Sequence, residues 1–326
     1  MKIKNLYIEE EILNNKRALK IEKKLKYENK IICKNYKEIF NPKNQNFRIQ
    51  KNEPSIILAT KKKNLILKAP KKFSIGLHEN YYFSHMLNCI YDCNYCFLQG
   101  MFNSAHYVIF VNYEDFFVNI KDILNHKSSN ICFFSGYDCD SLALEDITGF
   151  IDFFLKKFIK LKSGMLEIRS KSTNIKSIKK INPSHNIIPA FSLNPEHSIK
   201  LHEHNTPKLI NRLNAIKELQ NLGWNIGIRF DPFIWYGDLS KMSLFFKEIF
   251  SSVKKNKVHS VTIGNFRMAN NYLKQMVKIK PTDPYIFEKY ISQILPNTNE
   301  NTVETRMYKI KEKISEFIDE SKIFIN

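Results

Sequence analysis

The sequence predicts an α/β protein: a partial (β/α)6 TIM-type barrel with N- and C-terminal extensions. Three observations predict it. From about residue 106 onward, short β-branched and aromatic runs alternate with longer amphipathic stretches, the pattern of βαβ units and a parallel sheet. The 326 residues are 43% hydrophobic and 25% charged, so the chain can bury a large core without disulfide staples. Three cysteines crowd onto one loop after the first predicted strand, and in α/β barrels the loops after strands build the site.

The elements follow in order. Residues 1–30 set Ile8, Ile12 and Leu19 at near-helical spacing and predict a surface helix. Residues 31–72 contain Pro54, Pro70 and the run Lys61-Lys62-Lys63, and predict a strand or two among loops. A first barrel strand is expected near 73–77. Further strands are expected at 106–112, 130–135, 165–169, 187–193, 225–230 and 258–264. Helices are expected at 113–124, 142–159, 174–181, 207–222 (ended by Gly223), 239–253 and 268–279, with two more in 282–326. The organisation expected is a basic extension over 1–72, a barrel over 73–280 and C-terminal helices over 281–326.

Net charge is +19, unevenly placed: residues 1–72 carry 20 Lys and Arg against 7 Asp and Glu. Such a segment attracts polyanions through counterion release. The alternative is coding bias, since Lys outnumbers Arg 44 to 7 and Asn and Ile are abundant. The N-terminus is too charged for a signal peptide, and no apolar run of ~18 residues is found. A cytoplasmic protein without membrane contact is expected.

The six cysteines are Cys33, Cys89, Cys93, Cys96, Cys132 and Cys139. Three fall in the segment Cys89-Ile-Tyr-Asp-Cys93-Asn-Tyr-Cys96, which reads as metal or cofactor ligation. Zinc would usually want a fourth ligand, and neither His85 nor His106 falls at a typical offset. Three cysteines without a fourth suggest a 4Fe–4S cluster with one iron open. A structural zinc site and three unrelated buried thiols remain the alternatives. Cys33 and Cys132 are expected in the core.

The CxxxCxxC spacing, with Tyr95 and Phe97 flanking the last cysteine, resembles the radical S-adenosylmethionine (SAM) superfamily, which implies the radical SAM type of barrel. There the open iron chelates SAM, and one electron splits it to methionine and a 5′-deoxyadenosyl radical. The resemblance narrows to the spore photoproduct lyase family. It rests on Cys96-Phe-Leu-Gln99, on Leu166-Glu-Ile-Arg-Ser-Lys-Ser172, on Phe191-Ser-Leu-Asn194 followed by Glu203-His204-Asn-Thr206 and Arg212, and on Asp231-Pro232.

The resemblance implies a 4Fe–4S cluster on Cys89, Cys93 and Cys96. It implies SAM held by Lys171 at the carboxylate, by Ser192 and Asn194 at the methionyl or ribose part, and by the Ser135-Gly136 turn near the amino group. It also implies repair of a thymine photodimer in DNA, with Cys139 returning a hydrogen atom and Tyr95 in a tyrosine relay. DNA and an electron donor such as flavodoxin or ferredoxin are the expected partners. Two features depart from the family. Cys139 lies in Asp138-Cys-Asp-Ser-Leu-Ala-Leu-Glu145, which resembles members without an assigned substrate, and Phe97 stands where a second relay tyrosine belongs. A radical SAM enzyme on a non-DNA substrate and a nucleic-acid-binding protein with a structural metal are the competing readings.

Other signals are weaker. His202-Glu203-His204 lacks a third ligand at helical spacing, and Glu203 is expected to pair with Arg212. Trp224 is expected in the core, and Trp235-Tyr236 on the substrate side.

Overall fold

The structure, a computed structural model, describes residues 2–70, 72–126, 130–236, 239–294 and 300–326. The chain opens with strand β1 (Lys2–Glu9), helix α1 (Lys16–Glu22), strand β2 (Lys26–Cys33), helix α2 (Phe47–Asn52) and strand β3 (Ile56–Ala59). Next come β4 (Leu67–Lys68), β5 (Glu79–Phe83), β6 (Met86–Leu87), β7 (Asp92–Cys93) and β8 (Tyr107–Phe110). The remaining strands are β9 (Ile131–Ser135), β10 (Met165–Ser170), β11 (Ile187–Ser192), β12 (Glu203–His204), β13 (Ile226–Phe230), β14 (Val258–Ile263) and β15 (Ile323–Ile325).

Two main sheets result. The larger is a curled half-barrel of order β15-β14-β13-β11-β10-β9-β5-β4. Six strands, β5, β9, β10, β11, β13 and β14, form a parallel run, the last five of them where the alternation predicts; β15 extends it in parallel and β4 closes its other edge antiparallel. β9, β11 and β13 are buried at every position, which is why they read as continuous apolar runs. The smaller sheet has order β2-β1-β3-β8-β6.

The structure corrects several sequence readings. Residues 1–30 are not one surface helix. In β1, Ile3, Leu6 and Ile8 go inward, and only α1 is α-helical, capped by Asn15 Oδ1 accepting from the amides of Arg17 and Ala18. The strand at 106–112 forms as β8, but it pairs with β3 in the smaller sheet, so residues 1–72 share that sheet with a strand from the middle of the chain. Residues 73–77 are a turn, with Ser74 Oγ accepting from Gly76 N and donating to Leu77 O; the first parallel barrel strand is β5. The helix expected at 142–159 breaks at Gly149, whose φ of +59° starts a new helix, Phe150–Phe158. At 174–181 only a short 3-10 turn forms, Ile178–Lys180. Strand β15 follows the two C-terminal helices and was not foreseen.

The main core lies between the half-barrel and its outer helices. Phe83, Phe116, Phe133, Phe150, Phe154 and Phe158 are all buried there, and Phe150 and Phe154 stack at 4.8 Å. Emptying one such site, as in Phe154→Ala, costs about 3–5 kcal/mol. Trp224, Cys33 and Cys132 are buried as expected. No helix among the described residues is long and apolar enough to cross a membrane.

Candidate active site at the half-barrel mouth

The three clustered cysteines occupy the loop between β6 and the short helix Leu98–Met101. Cys89, Cys93 and Cys96 border one cavity of about 600 Å³ at the C-terminal ends of the barrel strands. The loop is pinned from several sides. β7 pairs antiparallel with β12, setting Cys93 opposite Glu203. Gln99 Nε2 donates to Cys93 O at 2.8 Å, and Asn94 N donates to His202 O at 2.8 Å. Lys51 reaches the Cys89 and Tyr91 carbonyls, while Arg48 and Lys280 reach Asp92.

Burial governs the three thiols. It pushes Cys89 up to about 12, with Asp140 and Cys96 adding to the rise. It also raises Cys93 well above a free thiol, and raises Cys96. Such thiols stay protonated on their own, so binding a cationic group here releases protons. Among the described residues, no three Cys, His, Asp or Glu side chains converge on a single-ion site. His85 stacks on Phe150 at 4.0 Å, and His106 Nδ1 accepts from Ser55 N, so both imidazoles are engaged elsewhere. The donor set, three soft sulfurs bordering a cavity, fits a 4Fe–4S cluster with one corner open to that cavity.

The other predicted cofactor residues divide. Lys171, Ser192, Ser135 and Gly136 border the same cavity as the cysteines. The Lys171 ammonium lies 5.4 Å from the Tyr95 ring centre. Burial works against its charge, but Cys93 and Glu203 raise its pKa above the ordinary lysine value. At Gly136, φ is +76° and a Cβ would meet Ser141 Oγ at 2.3 Å, so only glycine makes this turn. Asn194 does not border the cavity. Its amide donates to Glu203 Oε1 (2.9 Å) and Pro232 O (3.1 Å), and its oxygen accepts from Ile234 N.

Asn194 belongs instead to a buried network behind the cysteine loop. Glu203 and Arg212 pair at 2.5 Å with both side chains fully buried. Arg212 also donates to Ser192 O (2.9 Å), Pro207 O (2.9 Å) and Thr206 Oγ1 (2.7 Å). The Tyr95 hydroxyl donates to Glu203 Oε1. Burial would lift the Glu203 carboxyl, but Arg212 and Lys171 hold it below its ordinary value. The pairing expected of Glu203 and Arg212 is therefore present, and it reaches the cavity through Tyr95.

The Asp-Ser-Leu-Ala-Leu-Glu motif proves to be a strap. Asp140 accepts from the Lys171 amide (2.7 Å), the Ser170 hydroxyl (2.7 Å) and the amides of Leu142 and Ala143. Ser141 Oγ meets Ser135 Oγ at 2.8 Å. Glu145 accepts from the amides of Ile151 and Asp152, capping the next helix. The motif thus joins the ends of β9 and β10. Cys139, immediately before it, is buried, borders the cavity and lies 4.0 Å from His85 Nδ1. Burial first, then Cys89 and Asp138, hold its thiol far above the usual range.

Sequence reasoning missed much of the cavity wall. Tyr91, Phe73, Arg169, Phe266 and Arg267 all border it, beside Tyr137 of the Ser135-Gly136-Tyr137 turn, which was expected near the SAM amino group. Tyr137 stacks on Tyr82 at 4.1 Å and tilts against Phe97 at 5.4 Å. The Arg169 guanidinium sits 4.5 Å from the Phe73 ring centre. Tyr91 alone carried a signal, standing between two of the cysteines. Trp235 and Tyr236 are not on the cavity wall: Trp235 stacks on Phe233 at 6.1 Å, and Tyr236 meets His202 Nε2 at 2.6 Å.

The chain resembles known proteins throughout. The family model "Spore photoproduct lyase" matches residues 3–302. The spore photoproduct lyase of Clostridium acetobutylicum is 24% identical over 164 residues, which are 50% of this chain and 49% of the relative. That match thus spans about half the length of the curated relative. A solved spore photoproduct lyase variant with bound AdoMet and dinucleoside spore photoproduct superposes with a TM-score of 0.77 at 14% identity, covering 99% of this chain and 98% of that one. A cysteine-to-serine variant gives 0.78 at the same identity and coverage. At that identity the superpositions establish that the chain has the fold of these lyases. With the family model spanning nearly all of the sequence, the chain belongs to the spore photoproduct lyase family.

Proposed function

We propose that this protein is a radical SAM lyase that repairs a thymine photoproduct in DNA. The observation that carries the reading is the meeting of Cys89, Cys93, Cys96 and Lys171 on one cavity. Cys89, Cys93 and Cys96 are the cluster ligands, and the cluster, when bound, supplies the electron that splits SAM to a 5′-deoxyadenosyl radical. Lys171 offers a half-buried ammonium for the SAM carboxylate. Ser192, Ser135 and Gly136 offer polar groups along the same wall. Asn194 acts at one remove, by orienting Glu203.

The reading extends to the substrate through the relatives. Solved spore photoproduct lyases hold dinucleoside spore photoproduct. Here Cys139 presents a thiol that its surroundings keep protonated, the state a hydrogen-atom donor needs. Tyr95 stands at the cavity with its hydroxyl hydrogen directed to Glu203. Phe97 has no hydroxyl, so it cannot serve as a second relay group. The aromatic wall of Phe73, Tyr137 and Phe266 is suited to stacking on bases. DNA as the polymer partner, a flavodoxin or ferredoxin as electron donor, and a cytoplasmic setting belong to the same proposal.

The test is an anaerobic assay of reconstituted protein on DNA containing the spore photoproduct, with 5′-deoxyadenosine release followed in parallel. Restored thymine supports the proposal. Release of 5′-deoxyadenosine with no change in the lesion would move the enzyme to a different substrate. Tight zinc binding without iron uptake would overturn the radical chemistry.

A further inference from the structure

The basic N-terminal segment directs two of its cations inward. Helix α2 carries Arg48 and Lys51, about 40 residues upstream of the cysteine loop but folded directly against it. Lys51 Nζ donates to Cys89 O at 2.6 Å and to Tyr91 O at 3.0 Å. Arg48 grips Asp92 with two bonds, 3.1 and 2.9 Å. From the opposite end of the chain, Lys280 lies 3.6 Å from Asp92 and donates to Asn94 Oδ1 at 3.0 Å. Lys280 is only 9% exposed at its side chain, and Asp92 12%. Three cations from two distant segments therefore hold the backbone and side chains of residues 89–94.

We infer that Lys51, Arg48 and Lys280 form a clamp that fixes the cysteine loop in its ligating shape and sets positive charge around the cluster. The inference rests on the proposed cluster ligation. Two physical reasons support it. Carbonyls that accept from an ammonium cannot turn freely, so the loop keeps its shape without a bound group, which lowers the ordering cost of ligation. A partly buried positive charge also favours gain of an electron nearby, because the low-dielectric surroundings screen it poorly. Asp92 offsets part of the charge of Arg48 and Lys280, whereas Lys51 contacts only neutral carbonyls on the loop. Lys51 is thus the member whose charge is felt most directly. It is a positioning residue, not a catalytic one.

The experiment compares wild type, Lys51→Met and Lys51→Arg. Far-UV circular dichroism checks that each folds; if Lys51→Met does not, Lys280→Met takes its place. Amide hydrogen exchange over residues 89–96 is measured on metal-free protein. The ratio of reduced to oxidised cluster is measured by EPR at fixed potential on protein reconstituted anaerobically with iron and sulfide. Lys51→Met should raise loop exchange at least tenfold. It should also shift the ratio about tenfold towards the oxidised form, about 59 mV for one electron. Lys51→Arg should keep the ratio within about twofold of wild type, since it keeps the charge. A residue with only a packing role would leave the ratio unchanged. Exchange and ratio both unchanged in the Met variant would overturn the inference. Failure of wild type to take up iron would instead refute the cluster reading, and the exchange measurement would then judge the loop clamp by itself.

Discussion

Glu203→Gln removes one charge from the buried network behind the cysteine loop and leaves its shape nearly intact. In the native protein this carboxylate takes Arg212 on one oxygen and Asn194 and Tyr95 on the other, and neither Glu203 nor Arg212 is exposed. The variant leaves the Arg212 guanidinium buried with no opposing charge. Breaking a buried pair from one side costs about 3–5 kcal/mol. For 326 residues, an unfolding entropy of about 2.1 cal/mol/K per residue gives about 0.7 kcal/mol/K, so Tm should fall by about 4–7 °C. Thermal unfolding followed by circular dichroism measures this. The double variant Glu203→Gln, Arg212→Met removes the orphan charge as well. It should unfold no lower than the single variant, because the two losses are coupled. A fall below about 1 °C for the single variant, or a double variant whose losses simply add, would refute the reasoning.

Three further outcomes follow from the geometry. Lys171→Ala should retain the cluster but weaken SAM binding by ~1.5–3 kcal/mol, the worth of a hydrogen bond to a charged group, as read by calorimetry; unchanged affinity would remove Lys171 from the cofactor site. Cys139→Ala should leave SAM cleavage intact while diverting the damaged base to abnormal products, and normal product at the normal rate would make Cys139 a packing residue. Glu167 is buried, but Arg229 and Arg169 outweigh that burial and hold its carboxyl at about 2 in the fold, against an ordinary 4.5. Its charge therefore stabilises the fold fully above about pH 4.5, and that contribution is lost as pH falls towards 2. Stability measured between pH 5 and 3 should fall less steeply in Glu167→Gln than in wild type, and parallel slopes would sink the assignment.

Five of the six parallel barrel strands, β9, β10, β11, β13 and β14, were legible because they are buried almost throughout, so each stands out as an apolar run between helices; β5, the polar-flanked Glu79–Phe83, was not. The cysteine loop was legible because three thiols within eight residues have few other uses. Strand β1 was not legible as a strand: Ile8 and Ile12 fit a helical stripe as well as an alternation, and only pairing with β2 and β3 decides between them. β8 looked like its neighbours in the chain, yet its partner β3 lies about 50 residues upstream, and nothing local in sequence names that partner. Asn194 was placed against the cofactor by motif, whereas its amide is fully taken up by Glu203, Pro232 and Ile234. Aromatic and basic residues of the cavity wall come from scattered segments, such as Phe73, Tyr137 and Phe266. Their convergence is a property of the fold and leaves no pattern in any one window.

The pairing of distant strands has a consequence for how the molecule comes together. Leu6 pairs with Ile56, Ile57 with Val108, and Val261 with Ile323, each pair separated by roughly 50–60 residues. Long loops must close before any of these ladders begins to stabilise the chain. Collapse should be slow by the standard of helical proteins, and apolar edges such as β3 and β14 stand unprotected during it. Refolding from denaturant should therefore succeed best in dilute solution, with yield falling as protein concentration rises. A newly made chain faces the same hazard, and the cavity has no complete wall until its most distant strands have met.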